Sequence, residues 1–392
     1  MIVSRPGGAS TRGWCPGVLD PMETGDGWLL RIRLPGGHLS PSAMRTVAAV
    51  AQRFGSGLID LTSRANLQIR GLSAGAVTSA AGVLVERSLS SGDAGIDALR
   101  AVVASPLAGH DPWQLADTTQ LVTDIVEQMA ATNVGGVPAK FGIVIDDAGS
   151  WELGHVDADL RLRASATGFG VFLRGLTGSI GTVTAPIDCV LRTVRLCANH
   201  GGRMDAVVAR RGLAEVAAAI GVGAPIGVGA AERPSDDPAA NPYRSVLRVL
   251  GRSPHLDPGR TNIVAGPFLG RIDHAALAHL ADLAEQHGTA VRFTTDHSIA
   301  FCGVAGGEGG ALLGALGALG LLVDATDSRA AASACVGSRG CAAAHGDTWA
   351  EAQRMVDSLA ASERFHLSGC SKGCGAPAGI RHLLAEPTGT FR

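Results

Sequence analysis

The chain has 392 residues, enough for about two or three domains, and its 46% hydrophobic and 17% charged residues predict a folded globular protein. A formal net charge of -2, without a basic run interleaved with aromatics, argues against a nucleic-acid-binding surface. No stretch reaches the roughly 18 apolar residues of a membrane span, because glycines interrupt the nearest candidate at residues 311–323.

The first elements of the chain predict a β-α-β-α unit. Apolar residues indicate a strand over residues 28–34, and Ser40 and Pro41 then begin a helix whose apolar residues recur at helical spacing. A second strand is predicted over residues 58–72 and a second helix over residues 77–89. Such a unit can bury one face of a small sheet against its helices.

The middle of the chain predicts a mixed α/β domain. Helices are expected over residues 118–131 and 187–199, and strands over residues 141–145 and 171–173. A stretch rich in proline and aspartate at residues 232–243 has the composition of a linker.

The β-α-β-α order then returns. Strands are predicted over residues 262–268 and 290–304, with a helix capped by Asp273 between them and another helix over residues 311–322. The second strands align residue by residue, with Leu61-Thr62-Ser63-Arg64 against Phe293-Thr294-Thr295-Asp296. Two copies about 230 residues apart indicate a pseudo-twofold protein of the α+β class, built by duplication.

These elements divide the chain into five regions. They are an N-terminal segment (1–27), a first half-domain (28–95), a middle α/β domain (96–245), a second half-domain (260–325) and a C-terminal domain (326–392). The C-terminal domain is also predicted to be mixed α/β, and it contains four of the eight cysteines.

These four cysteines form two closely spaced pairs. Cys335 and Cys341 make a C-x5-C motif, and Cys370 and Cys374 follow 28 residues later as C-x3-C. Four thiolates are the ligands that a [4Fe-4S] cluster needs, and neighbouring glycines let the backbone approach it closely. Structural zinc is the main alternative, although the first pair departs from its usual spacing, and four buried thiols are another.

The remaining cysteines carry a weaker signal. Cys189, Cys197 and Cys302 lie in apolar segments and are expected to be small buried side chains. Cys15, in a turn-like Trp-Cys-Pro-Gly, leaves a catalytic or metal-binding role open. Because residues 1–11 lack the apolar core of a secretory signal, we expect a cytoplasmic protein without disulfides.

The cysteine spacing resembles the sulfite and nitrite reductase superfamily, as does the strand Leu61-Thr62-Ser63-Arg64-Ala65-Asn66-Leu67-Gln68-Ile69-Arg70-Gly71. The resemblance covers almost the whole chain, repeat included. It implies duplicated ferredoxin-like units around a tetrapyrrole, next to a [4Fe-4S] cluster held by the paired cysteines. In that family the last cysteine links cluster and haem iron, and the matching position here is Cys374.

The resemblance also implies a set of basic residues facing the tetrapyrrole. Arg64, Arg100 and Lys140 match positions that line the distal face and are expected to be catalytic and to bind substrate, with Arg70 added to the substrate-binding set. A macrocycle with several carboxylates needs such cations, and arginine offers a forked contact. A surface ion pair is the alternative for each.

Within the superfamily, the chain resembles the branch that makes precorrin-3B from precorrin-3A in aerobic cobalamin biosynthesis. The residues that carry this likeness are Arg12-Gly-Trp-Cys-Pro-Gly, Gly25-Asp-Gly-Trp-Leu-Leu-Arg-Ile-Arg-Leu-Pro-Gly-Gly37 and the Ser-Lys-Gly between Cys370 and Cys374. Sulfite reductases usually have a second lysine where Gly142 stands. The resemblance implies a monooxygenase that hydroxylates precorrin-3A with O2 and closes a lactone.

Electrons for this reaction are expected to come from NADH through a separate reductase or ferredoxin, because no nucleotide-binding glycine motif follows a predicted strand. A mononuclear iron is a further cofactor to consider; its candidate ligands are His110, Asp111, His155, Asp157 and His297. Two other functions stay open. They are a sirohaem-dependent sulfite or nitrite reductase and a non-catalytic electron carrier.

Overall fold

The structure is a computed structural model, and it describes residues 15–132, 134–138, 140–223, 250–358, 364–376 and 380–392. The linker predicted over residues 232–243 and the first part of the Arg12 motif lie outside the described residues. Among the helices described, none is long and apolar enough to cross a membrane.

The first half-domain contains the predicted first strand and both predicted helices in the predicted order. Its elements are β1 Met22–Thr24, β2 Gly27–Ile32, α1 Pro41–Phe54, β3 Leu58–Leu61, β4 Leu67–Leu72 and α2 Val77–Glu86. The Ser40 side chain accepts a hydrogen bond from the N–H of Ala43 at 3.3 Å and begins α1 as predicted. The apolar side of α1, including Met44 and Val47, is fully buried against the sheet.

The middle domain is built on a five-stranded sheet. Its elements are α3 Ala94–Leu99, β5 Val102–Ala104, α4 Thr119–Ala131, β6 Ile143–Asp146, β7 Leu160–Ser165, β8 Gly168–Leu173, β9 Ser179–Val183, α5 Pro186–His200, α6 Met204–Arg211 and α7 Leu213–Ala219. The strands lie in the order β5-β6-β7-β8-β9, with β5, β6 and β7 parallel and the last two pairs antiparallel. The two helices and two strands predicted for this region are confirmed.

The second half-domain repeats the first. Its elements are β10 Gly251–Pro254, β11 Arg260–Ala265, β12 Arg271–Asp273, α8 His274–Gln286, β13 Ala290–Phe293, β14 Ile299–Ala305 and α9 Gly309–Ala318. Asp273 caps α8 as predicted, accepting from the N–H of Ala276 at 2.8 Å. The helix predicted over residues 311–322 ends earlier because Gly320 takes a left-handed conformation, with φ of 82°.

One prediction was wrong in both halves: residues 58–72 and 290–304 each form two antiparallel strands and not one. The turns are equivalent, with φ of 56° at Ala65 and 65° at His297. Leu61 and Leu67, the apolar residues that flank the first turn, are separated by an even number of positions. The alternation of apolar residues therefore continues in phase through the turn and hides it.

The two half-domains exchange strands. β12 of the second half pairs with β3 of the first, with Arg271 opposite Asp60, so the first sheet has the order β1-β2-β4-β3-β12. In return His38 forms a bridge with Arg292, and the N–H of Leu39 donates to the strand β13. Helices α1 and α8 pack against each other, and the two halves share one hydrophobic core.

The C-terminal domain is a small parallel sheet with a nine-residue helix. Its elements are β15 Ala332–Ala334, α10 Thr348–Val356, β16 Phe365–Ser368 and β17 Arg381–Leu384, and the strands lie in that order. Asp347 caps α10 by accepting from the N–H groups of Trp349 and Ala350. The core of the domain is closed by Phe365 and Met355.

Candidate functional site

The four paired cysteines lie at one edge of the C-terminal sheet. Cys335 follows β15 and Cys370 follows β16, and because these neighbouring strands are parallel, their carboxyl ends meet at that edge. The N–H of Cys335 donates to the carbonyl of Leu367 at 3.0 Å. Cys341 and Cys374 are on the loops that follow, and Cys374 is exposed to solvent.

The thiols interact electrostatically. Burial raises the pKa of the Cys335 thiol, and two of the other three add to the rise. The N–H groups of Gly337 and Gly369 oppose it by donating to the Cys335 Sγ at 3.4 and 3.2 Å. Burial also raises the pKa of Cys374, and the three remaining thiols add to it. All four therefore share one region, where four thiolates need a compensating cation.

This donor set is compatible with an iron-sulfur cluster. Within the described residues, no three His, Cys, Asp or Glu side chains converge on a point that could hold a single metal ion. A zinc site needs its ligands on one ion, whereas a cubane offers a separate iron atom to each of four surrounding thiolates. The backbone N–H donors to the Cys335 sulfur would stabilise it as a thiolate ligand.

Arg70 joins the first half-domain to the loop that carries Cys341. Its side chain is 3% exposed, and it donates to both carboxylate oxygens of Asp26, to Asp60 and to the carbonyl of Gly340, at 2.8 to 3.3 Å. These bonds leave the guanidinium no exposed face for a ligand. The substrate contact predicted for Arg70 is therefore replaced by a structural one, the anchoring of the cysteine loop.

The first sheet has a polar face that the second sheet lacks at matching positions. Arg31 on β2 lies opposite Gln68 on β4 and donates to its Oε1 at 2.6 and 3.1 Å. The equivalent pair on β11 and β14 is Val264 and Ala300, and both are buried in an apolar core with the middle domain. At these matching positions the first sheet thus carries a charged residue, whereas the second sheet packs against the middle domain.

Cys15 lies beside two guanidinium groups of this polar face. Burial lowers the pKa of Arg31 to about 10, and the positive charge of Arg64 lowers it further. Cys15, which is hydrogen-bonded to Arg31, raises this pKa and so opposes both effects. Burial also lowers the pKa of Arg64, again opposed by Cys15. Both groups stay cationic at neutral pH, and a lowered pKa means that the protein compensates their charge incompletely. The pair therefore favours an anionic ligand.

Arg100 extends this group. Burial lowers its pKa, Asp97 opposes the fall and Arg33 adds to it. The Arg100 Nε lies 3.9 Å from Asp97 and is buried without a hydrogen-bond acceptor among the described residues. Arg33 itself is paired with Asp97 at 2.5 Å, and a cavity of about 220 Å³ is lined by Cys15, Arg33 and Asp97. We refer to Arg31, Arg64 and Arg100 as the basic set.

Arg64 reaches across to the middle domain. Its Nη2 donates to the carbonyl of Asp157 at 2.5 Å. Its Nη1 lies 2.6 Å from the position that a Cβ on Gly142 would occupy, so the lack of a side chain there makes room for the guanidinium. Lys140, two residues before Gly142, is exposed. The Arg64 side chain, which comes from the first half-domain, thus lies against the segment of the middle domain that carries Lys140.

Sequence reasoning did not single out Arg31 and left the role of Cys15 undecided. A signal for Arg31 was present, because it lies between the core residues Leu30 and Ile32 and must point to the opposite face of β2. The proximity of Cys15 had no local signal. It depends on how the N-terminal segment packs against a strand that follows it.

The other thiols behave as predicted. Cys189, Cys197 and Cys302 are buried, and burial raises their pKa values to about 12, 12 and 11. They are therefore protonated, unreactive parts of the core.

The candidates for a mononuclear iron are dispersed, and four of the five have evident partners. Asp111 accepts from Ser150, His110 contacts His255, Asp157 pairs with Arg203, and His297 contacts the carbonyl of Leu61. Because no three such side chains converge on one point in the described part of the chain, a mononuclear iron finds no support.

Comparisons with known proteins agree with this architecture. The model of the nitrite/sulfite reductase ferredoxin-like half domain matches residues 20–86 and 254–319. A precorrin-3B synthase from Sinorhizobium sp is 32% identical, covering 96% of this chain and 82% of its own length. The ferredoxin-nitrite reductase of Synechococcus elongatus is 25% identical, covering 89% of this chain and 74% of its own. The structure of the Mycobacterium tuberculosis NirA protein aligns with a TM-score of 0.72 at 19% identity, covering 89% of this chain and 69% of that one.

Two such half domains beside the four paired cysteines define a protein of the sulfite and nitrite reductase class, which confirms the predicted fold class and superfamily. Within that class, one relative is similar over nearly the whole chain at an identity that identifies the family. The chain belongs to the precorrin-3B synthase family.

Proposed function

We propose that the protein is a precorrin-3B synthase, an oxidoreductase that hydroxylates precorrin-3A with molecular oxygen and closes a lactone with a ring acetate. One atom of O2 enters the product, and the other leaves as water with two electrons and two protons from a reduced donor. The similarity to a precorrin-3B synthase over 96% of the chain supports this assignment.

The structural observation that carries the proposal is the basic set. Arg31, Arg64 and Arg100 all have pKa values lowered by burial, and the charge of a neighbouring guanidinium adds to each fall. A tetrapyrrole with several carboxylates would compensate them, and charge-assisted forked contacts are among the strongest hydrogen bonds in proteins. The exposed Lys140 would hold a further carboxylate.

Each of these groups has a defined part in the reaction we propose. Arg64 and Lys140 hold the substrate from opposite domains, and the guanidinium of Arg100, whose side chain is 23% exposed, receives a carboxylate arm. Arg70 keeps the Cys341 loop against the first sheet. The four paired cysteines hold a [4Fe-4S] cluster, which when bound supplies electrons one at a time.

The electron donor is a separate protein in this proposal. A reductase that oxidises NADH, or a ferredoxin, would deliver electrons, because the sequence contains no dinucleotide-binding glycine motif after a strand. The exposure of Cys374 supports a cluster that lies close to the surface or to the bound tetrapyrrole.

The test of the function is turnover of precorrin-3A under 18O2 with a chemical or enzymatic electron donor. We expect one labelled oxygen in the new hydroxyl group, and none from labelled water. Product without label from the gas, or no conversion of precorrin-3A by a cluster-containing preparation in air, would overturn the assignment.

A sirohaem-dependent nitrite or sulfite reductase is the second candidate, favoured by the similarity to ferredoxin-nitrite reductases over 89% of the chain. Gly142 argues against it, because the Arg64 guanidinium occupies the space that a second lysine would need beside a small oxyanion. The visible spectrum separates the two functions. Strong sirohaem bands with rapid reduction of nitrite or sulfite would favour the reductase.

A further inference from the structure

Two histidines, His366 buried and His382 exposed to solvent, lie beneath the loop that carries Cys370 and Cys374. His366 on β16 and His382 on β17 are directly opposite each other in the parallel register. Their rings are tilted edge to face, with centroids 5.4 Å apart. His366 is 2% exposed.

His366 connects two strands to the last cysteine of the site. Its Nδ1 lies 2.9 Å from the hydroxyl of Ser333 on β15, and its Nε2 lies 3.2 Å from the carbonyl of Cys374. A carbonyl can only accept, so this contact assigns the proton to Nε2, and Nδ1 of the neutral ring then accepts from Ser333. The N–H of His366 therefore holds the peptide carbonyl of Cys374 from below.

His382 supports the same loop by contact. Its Nε2 lies 2.9 Å from the hydroxyl of Ser368, and its Cε1 is 3.1 Å from the position that a Cβ on Gly373 would occupy. Gly373 has a φ of 61°, which also favours glycine. The loop therefore lies directly on the two rings.

We infer that His366 is a positioning residue for the cluster: through the carbonyl of Cys374 it fixes the most exposed ligand and raises the reduction potential. This inference rests on the [4Fe-4S] cluster of the proposed function and not on the identity of the substrate. The N–H of His366 is a dipole whose positive end points toward the peptide group of a ligand, and such a dipole favours the reduced, more negative state of the cluster. The loss of this donor should make the cluster harder to reduce.

The test compares three variants of the anaerobically purified holoprotein by a reductive titration followed by electron paramagnetic resonance. In His366→Gln the amide nitrogen can take the place of Nε2 and still donate to Cys374. In His366→Asn the shorter amide reaches only the place of Nδ1, and His366→Leu has no donor. We expect a lower potential in the Asn and Leu variants and a potential close to that of the wild type in the Gln variant. His279→Leu, an exposed change on α8, is the control.

Iron and sulfide content is measured in parallel. If His366→Leu fails to retain a cluster, the Gln and Asn variants still decide the question. Equal potentials in the Gln and Asn variants, whether both lowered or both unchanged, would overturn the inference. Absence of iron and sulfide from the wild type would instead refute the cluster itself, and a negative 18O2 experiment would refute only the reaction.

Discussion

At the scale of single residues, Arg64 is the most informative residue of the site, because its cationic side chain belongs to one domain and contacts another. Arg64 belongs to the turn between β3 and β4, yet its hydrogen bond goes to Asp157 and its guanidinium lies against Gly142. The side chain is 29% exposed and is therefore accessible to a ligand. Lys140 precedes Gly142 on the same segment of the middle domain, so a carboxylate between the domains could contact both.

We predict that Arg64→Ala and Lys140→Ala each weaken the binding of precorrin-3A by about 1.5 to 3 kcal/mol, because each removes one charged hydrogen bond. The fold should persist, since neither residue is fully buried. Binding is measured by fluorescence or calorimetric titration. Arg192→Ala, which removes a surface pair with Asp188 on α5, is the matched control. Affinities equal to that of the control would mean that Arg64 and Lys140 form surface ion pairs and do not bind the substrate.

A second residue-scale prediction concerns Asp147, which follows β6 and is fully buried. Burial raises its pKa from 3.8 to about 7, and the nearby carboxylates of Asp146 and Asp111 add to the rise. Between pH 4 and pH 7 the folded protein therefore keeps a proton that the unfolded chain releases. This contribution to the free energy of unfolding is present at the acidic end and is lost as the pH rises, by up to about 4 kcal/mol.

Urea unfolding of the wild type and of Asp147→Asn at several pH values between 5 and 8 measures this effect. The asparagine cannot ionise, so the variant should become more stable relative to the wild type as the pH rises. A difference that stays constant with pH, or that changes in the opposite direction, would contradict the assigned pKa.

The residues of the site could be predicted only in part. The spacing of the four cysteines indicated their common role, and the strand motif indicated Arg64. The resemblance indicated Arg70 as a substrate-binding residue, but the strand pattern carried no information about Asp26 and Asp60, whose carboxylates bind its guanidinium. Periodicity determines which face a side chain joins, whereas its partners come from other segments of the chain.

At the scale of elements, β4 and the Cys341 loop are joined by one buried side chain. The guanidinium of Arg70 connects Asp26, Asp60 and the carbonyl of Gly340. These contacts hold the C-terminal domain to the first sheet beside the paired cysteines.

We predict that Arg70→Met destabilises the protein by about 3 to 5 kcal/mol, because it leaves Asp26 without its buried cation and leaves Asp60 with Arg271 alone. It should also lower the iron content, since the loop loses its attachment. Arg70→Lys keeps the charge but cannot reproduce the fork to Asp26, and it should have an intermediate effect. Chemical denaturation and iron analysis measure both results. Iron content equal to that of the wild type in Arg70→Met would show that the anchor is dispensable.

The helices and strands with clear amphipathic patterns were predicted close to their observed positions, and the short turns within them were not. The turn at Ala65 and the one at His297 are in phase with the strands on both sides. β12 was also missed, since three residues are too few for a periodic signal, and its partner β3 belongs to the other half-domain. Pairing between distant strands is a property of the tertiary fold.

At the scale of the whole molecule, duplication has produced two similar half-domains, and the sheet of the first carries a charged face that the second lacks at matching positions. The pair Arg31 and Gln68 on the first sheet corresponds to Val264 and Ala300 on the second, which pack against the middle domain. The second copy therefore has no matching cations on these two strands to receive a carboxylate.

We predict that one tetrapyrrole binds per chain in spite of the pseudo-twofold symmetry. Titration of the anaerobic protein with precorrin-3A, followed by calorimetry or absorption, should give a stoichiometry of one. The Arg31→Ala substitution should weaken this single binding event, and no second binding event should remain in the titration. A stoichiometry of two would mean that the second half-domain binds as well.

The exchange of β12 has a consequence for synthesis on the ribosome. β3 emerges with one edge unpaired, and the residue that completes it, Arg271, lies 211 positions after its partner Asp60. At about 5 to 20 residues per second, that edge waits about 10 to 40 s for its neighbour. An open edge is a template for pairing with other nascent chains, so production of this protein should depend on chaperones that cover the edge during that time. The first half-domain can therefore complete its sheet only after the second has been translated.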